Sequence, residues 1–184
     1  MSYQSDIHCR RSIRLRGYDY SGEGAYFVTV CTCQRESLFG DVSDSEMRLN
    51  EYGRIVQQAW NDLPYHSRDV QLDQFVIMPN HVHGIVVLTV GAGISVGAQH
   101  AAPLQPLQNM SARPNVMPGS LGAVVRSFKS ATTKHINQCR NTPGHPVWQR
   151  NYYDHIIRGD RELNTIRQYI VQNPACWTDD PYRC

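Results

Sequence analysis

The chain has 184 residues, 41% of them hydrophobic, a mean hydropathy of -0.47 and a net charge of +2. That is enough for one domain, 1–184, with a sizeable core. No stretch approaches the roughly 18 unbroken apolar residues of a membrane span, so no membrane partner is expected. So small a net charge does not announce a nucleic-acid binder. The kind of base says more: all but two of the 18 basic residues are Arg, the exceptions being Lys129 and Lys134. Arginine suits bidentate phosphate contact, and a GC-rich genome would leave the same bias. The N-terminus has no apolar signal region. The cysteines are scattered without a repeated C-x-x-C, so reduced thiols in a cytoplasm are expected.

Residues 1–20 form a basic arm in which Arg10, Arg11, Arg14 and Arg16 precede Tyr18 and Tyr20. Cations beside aromatics can grip a nucleic-acid backbone, and a solvated terminal arm has the same composition. Residues 25–33 are β-branched and aromatic throughout, the pattern of a strand covered on both faces. Residues 36–45 read as a loop. Asn50 then caps an amphipathic helix whose stripe is Tyr52, Ile55, Val56, Ala59, Trp60 and Leu63, stopped by Pro64.

Residues 70–78 and 81–88 are two more strands with Pro79-Asn80 between them. Proline at the first central position does not suit a type I′ or II′ hairpin. A loop wider than two residues, with a positive φ at Asn80, is therefore expected. Residues 90–118, rich in Gly, Ala, Pro, Gln and Ser, form a flexible insertion. Ser120 caps a helix to about Gln138 with the stripe Leu121, Val124, Val125, Phe128, Thr132 and Ile136. Arg126, Lys129 and Lys134 lie off that stripe, on a face that is either solvated or basic for a purpose. A turn at 141–146 leads to an extended segment at 147–158. Asp160 caps a last helix buried through Leu163, Ile166 and Ile170 and ended by Asn173-Pro174.

The order β-α-β-β-α-β-α is that of an α+β, ferredoxin-like split βαβ fold. Two helices cover one face of an antiparallel sheet, and the extra C-terminal helix is available to the other. His81 and His83 are one strand step apart and share a face. Such a pair can hold one metal ion, or can be two ordinary strand histidines. On the last helix Tyr169 and Asn173 lie about 40° apart. If that helix packs on the histidine face, two imidazoles, an amide oxygen and a phenol converge. Imidazoles and an amide can hold a divalent cation, and an aligned tyrosine can attack a phosphodiester. Taken singly, Tyr169 also fits the rim of a core and Asn173 a helix cap.

Several stretches carry a family resemblance. Phe75-Val-Ile-Met-Pro-Asn-His-Val-His-Gly-Ile-Val86 resembles the HUH signature of single-tyrosine transposases. Arg14-Leu-Arg-Gly-Tyr-Asp-Tyr20, Ala25-Tyr-Phe-Val-Thr-Val-Cys-Thr32, Gly122-Ala-Val-Val-Arg-Ser-Phe-Lys-Ser130, Trp148-Gln149, Tyr152-Tyr-Asp-His-Ile-Ile-Arg158 and Tyr169-Ile-Val-Gln-Asn-Pro174 are similar to the REP-associated tyrosine transposases. The resemblance spans most of the chain outside the insertion.

It implies a metal-dependent strand transferase, or nickase, that cuts single-stranded DNA around hairpins through a 5′-phosphotyrosine. Tyr169 matches the nucleophile; His81, His83 and Asn173 match the ligands of Mg²⁺ or Mn²⁺. Asn173 stands where insertion-sequence relatives often have Gln. Tyr152 and Tyr153 are rival tyrosines by type only. Asp154 and His155 are candidates for supporting the site, and Arg126, Lys129, Lys134 and the N-terminal arginines for holding DNA phosphates. The expected partners are single-stranded or hairpin DNA, with the protein a monomer or homodimer, cytoplasmic and near the bacterial nucleoid. Two other readings share the residues: a metal phosphodiesterase that uses water, and a non-catalytic RRM-like nucleic-acid binder.

Overall fold

The computed structural model describes residues 22–89 and 117–182. The arm carrying Arg10, Arg11, Arg14 and Arg16, and nearly all of the expected insertion, lie outside the described residues. In chain order the elements are β1 (Gly24–Cys31), β2 (Gly40–Ser43), β3 (Glu46–Leu49), α1 (Glu51–Asn61), α2 (Leu63–His66), β4 (Val70–Met78), β5 (His81–Leu88), α3 (Leu121–Cys139), β6 (Tyr153–Ile157) and α4 (Asp160–Gln172).

Four strands form an antiparallel sheet in the order β4-β5-β1-β6. That is the ferredoxin-like order expected from the pattern. Alternation sorts the strand residues onto two faces. The rear face presents Tyr26, Val28, Val30, Val82 and Val86 to α1 and α3, where they join Val56, Trp60, Leu121, Val124, Val125, Phe128 and Ile136 in the main core. The front face presents Phe27 and Ile85 to α4, where Ile157 and Ile170 complete a smaller cluster with Leu163 and Ile166 at its edge.

The helix starts follow their caps. Asn50 accepts the Gly53 amide and Ser120 the Ala123 amide, each satisfying a donor that a helix N-terminus leaves unpaired. Gly84, just after the two histidines, is required by packing. A Cβ there would stand 2.3 Å from Trp60 Cζ2, because the indole lies flat against the rear of β5.

Several expectations are corrected. Residues 36–45 are not only loop. They hold β2, which pairs with β3 through a two-residue turn, Asp44-Ser45, with φ of 56° and 64°. Two positive φ values make the twist-compatible primed turn, reached here without the glycine that would have announced it. Pro64 does not stop the helical run but lies in the first turn of α2, where its missing N–H costs nothing.

The Pro79-Asn80 connection is two residues long after all, since Met78 pairs with His81, and Asn80 does not take a positive φ. Only 153–157 of the extended segment is a strand, with an isolated bridge from Trp148 to Thr32 before it. Gly159, not Asp160, is the cap of α4. Asn173 keeps helical angles (φ -56°, ψ -42°) despite Pro174, and the chain continues as a 3₁₀ helix over Asn173–Asp179. That continuation carries the C-terminal segment back over the sheet. No helix among the described residues is long and apolar enough to cross a membrane.

Candidate functional site

At one end of the front face, β5 and α4 bring together His81, His83, Tyr169 and Asn173. His81 and His83 are fully buried beside Thr29, while Tyr169 keeps 41% of its surface exposed. The Tyr169 hydroxyl lies 3.2 Å from His83 Nε2. The two imidazoles turn their Nε2 atoms toward each other, 3.0 Å apart. Two ligands at right angles around an ion about 2.1 Å away would be separated by about that distance.

A hydrogen bond behind each ring orients it, and for His81 it also sets the tautomer. Asn80 uses its amide N–H groups on the carbonyls of Arg35 (3.2 Å) and Tyr182 (2.7 Å). Its oxygen must therefore accept, and it faces His81 Nδ1 at 2.8 Å. His81 Nδ1 carries the proton, and Nε2 presents a lone pair to the site. His83 Nδ1 is held by Thr29 Oγ1 at 2.8 Å. Thr29 and His83 are register partners across β1 and β5, so this contact follows from strand pairing.

Burial, helped by the charge of Arg35, lowers the His81 pKa to about 3, and burial together with His81 puts His83 well below its ordinary value. Both rings are neutral at physiological pH, the state in which imidazole binds a metal. Burial, and then the nearby Asp180 carboxylate, raise the Tyr169 phenol.

Asp180 belongs to the site and was not singled out from the sequence. It is buried, with Oδ2 3.8 Å from His81 Nε2, and its ligand atom and those of His81 and His83 all lie within 4.8 Å of one another. Burial raises its pKa. Its neighbour Tyr182 packs over the histidines, with ring centroids 5.0 Å from His81 and 5.6 Å from His83. Arg35 fixes this segment, donating to the Pro181 carbonyl at 3.0 Å and lying over the Tyr182 ring. Nothing in the local pattern marks Asp180 as a ligand; it arrives through the 3₁₀ turn that follows α4 at Asn173-Pro174. Thr29 and Asn80 were also missed, and for them the strand register would have been the signal.

The residues fit a cation on an observation independent of the histidines. Asn173 is 2% exposed, and its Oδ1 is a buried oxygen with no hydrogen-bond partner among the described residues. Such an atom costs free energy unless something satisfies it. Two neutral imidazoles, an amide oxygen and a carboxylate form a donor set of the kind that can hold a divalent ion.

The remaining expected residues lie elsewhere. Asp154 pairs with Val28 and faces the rear layer, so it does not support the site; β6 alternation forbids it. His155 is on the front face but donates to Glu162 at 2.7 Å, where Glu162 also accepts the Arg158 amide at 2.8 Å. It fastens the start of α4 instead. Tyr153 packs edge-on to Phe27. Arg126 and Lys134 are exposed on α3. Lys129 is committed to structure: its ammonium donates to the carbonyls of Gln149 (2.5 Å), Arg150 (3.2 Å) and Asn151 (3.3 Å), and burial lowers its pKa to about 8.

Helix α4 is docked by a second charged contact. The β4 register shifts between Leu72 and Phe75, a bulge that sets Asp73 toward α4. There Arg167 Nε donates to both Asp73 carboxylate oxygens, at 2.9 and 3.2 Å. Arg167 is two residues from Tyr169.

A Haemophilus influenzae protein described as uncharacterized is 39% identical over 180 residues, covering 97% of this chain and 95% of its own length. The chain belongs to one family with that protein. A second Haemophilus influenzae protein, named a putative REP-associated tyrosine transposase, is 22% identical over 157 residues, covering 85% of this chain and 73% of its own. The chain is similar over most of its length to that second protein, which is named for the REP-associated tyrosine transposases. Its fold is theirs as well: a REP-associated tyrosine transposase solved with a REP hairpin superposes with a TM-score of 0.57 at 18% identity, over 93% of this chain and 81% of that one. No family model matches the chain.

Proposed function

We propose that this transposase relative is a metal-dependent strand transferase that cuts single-stranded DNA at hairpin elements through a 5′-phosphotyrosine on Tyr169. The observation that carries the reading is the part-exposed Tyr169 hydroxyl, 3.2 Å from His83 Nε2, at the mouth of a buried donor set of two neutral imidazoles, an amide oxygen and a carboxylate. His81, His83, Asn173 and Asp180 would hold Mg²⁺ or Mn²⁺, which when bound would withdraw charge from the scissile phosphate.

The chain's own groups do the rest. Exposure on one side lets Tyr169 meet a phosphate from solvent, and the helix holds it in place. The Tyr169 oxygen bonds to phosphorus as the bond from phosphorus to the 3′-oxygen breaks; the phenol gives up its proton and the leaving oxygen ends as a free 3′-OH. A 3′-OH from a second DNA end reverses the step and restores the phenol. Asn80 holds His81 in the tautomer that turns an Nε2 lone pair to the site, and Thr29 orients the His83 ring.

The test is a denaturing gel of the protein with Mg²⁺ and an end-labelled hairpin oligonucleotide. A covalent adduct is expected, and Tyr169→Phe should abolish it. Cleavage without an adduct, persisting in Tyr169→Phe, would instead favour water as the nucleophile.

A further inference from the structure

We propose that a groove on the opposite side of the molecule, between the C-terminal half of α3 and the 141–150 segment, is a second contact surface for the DNA strand that flanks the cleaved phosphate. This inference rests on the reading of the front-face site as one that takes DNA.

The groove has a volume of about 810 Å³ and is bordered by Lys129, Lys134, Gln138, Asn141, Gln149 and Arg150 among others, with no carboxylate in its wall. The sequence explains why: no Asp or Glu occurs between Asp73 and Asp154, while Arg113, Arg126, Lys129, Lys134, Arg140 and Arg150 all do. The modest net charge of +2 therefore conceals a segregated distribution, acidic residues at both ends of the chain and cations alone in the middle. Both lysines of the protein border this one groove.

Their roles differ. Lys129 spends its three donors on the carbonyls of residues 149–151 and so fixes the far wall. Arg140 likewise holds the 145 corner, donating to Asn137 Oδ1 at 2.9 Å and to the His145 carbonyl at 3.3 Å. Lys134 and Arg150 are exposed, and their side chains have no ion pair or hydrogen bond among the described residues. Two unspent cations on a braced, carboxylate-free wall, with amides and hydroxyls between them, match a phosphate backbone.

Its location fits one continuous strand. Gln149 donates to the Cys31 carbonyl at 2.9 Å, and Cys33 donates to the Val147 carbonyl at 2.8 Å. Cys31 is in turn the register partner of His81. The groove wall is thus stitched to the same end of the sheet that carries the histidines, on the other side of it. A strand leaving Tyr169 need only pass around that end to reach Lys134 and Arg150.

The experiment is equilibrium binding of a fluorescent single-stranded oligonucleotide, with a hairpin and a flank, across a salt series. Lys134→Glu with Arg150→Glu should weaken binding about tenfold or more and reduce the slope of log affinity against log salt by about 1.4, roughly 0.7 per lost phosphate contact on a single strand. Lys134→Gln with Arg150→Gln should give a smaller loss of the same kind, and decides the matter if the Glu pair is poorly folded. Parent affinity and slope in both pairs, while the parent still forms its Tyr169 adduct, would overturn the groove and leave the site standing. An equal loss from Arg54→Glu with Arg68→Glu, which makes the same charge change elsewhere, would also overturn it. No DNA binding by the parent at all would overturn both readings.

Discussion

Behind β5, Val82, Gly84 and Val86 meet Trp60 and the α1–α3 layer; in front of it, His81, His83 and Ile85 meet α4. The two faces of one strand have opposite tasks. The rear is apolar and tightly interlocked, down to a glycine chosen so that an indole can lie against the backbone. The front buries two imidazoles, an amide, a hydroxyl and a carboxylate, which cost free energy unless each is satisfied. It compensates with a small apolar cluster around Ile170 and with two polar fastenings, His155 to Glu162 and Arg167 to Asp73. The rear face sets the stability of the sheet, and the front face uses that rigidity to hold groups in an arrangement that would not persist alone.

The largest effect that separates the faces is on chemistry. Tyr169→Phe should abolish the covalent DNA adduct while leaving the thermal unfolding midpoint at the parent value, since the hydroxyl is part-exposed. Loss of folding in that variant would mean that the front face carries the fold as well.

Next come the core substitutions. Trp60→Ala should cost about 3–5 kcal/mol in chemical denaturation, and Gly84→Ala about 1–3 kcal/mol through overpacking against the indole. On the front, Asn80→Ala or Thr29→Val should weaken Mn²⁺ binding about 10- to 100-fold by calorimetry, because each orients a ligand rather than forming one. Unchanged metal affinity in both would remove the tautomer argument.

The smallest effect is the pH dependence of α4 docking. Arg167 holds the Asp73 carboxylate below its ordinary pKa of 3.8. A depressed acid contributes stability above its unfolded pKa and loses it as pH falls through the folded value. The midpoint difference between the parent and Asp73→Asn should thus be constant at neutral pH, shrink below about pH 4 and vanish in stronger acid. A difference that persists in acid would mean that the bulge, not the ion pair, docks the helix.

Local signals were read correctly where they were strong and redundant. The stripe Leu121, Val124, Val125, Phe128, Thr132 and Ile136 is buried as its period implied, and Asn50 and Ser120 cap their helices. The strand pair 70–78 and 81–88 has the bounds the pattern gave, although its two-residue turn was not anticipated. Weak signals failed: β2 and β3 are four residues each, and their primed turn lacks glycine. Proline misled at Pro64, because a first helical turn tolerates a missing N–H; at Pro174 the α-helix does end as expected, but Asn173 keeps helical angles and a 3₁₀ turn follows without a break.

The sequence by itself determined the order of the four sheet strands and three long helices, the shared face of His81 and His83, and the pairing of Tyr169 with Asn173, because strand and helix periods are local properties of the backbone. Only the tertiary structure decided which face of the sheet α4 covers, that Asp154 faces away from the histidines, that Lys129 is spent on carbonyls, and that Asp180 closes the donor set. Each of those depends on how separate segments meet, and contact between residues as distant as His81 and Asp180 is written in packing and register, not in any spacing along the chain.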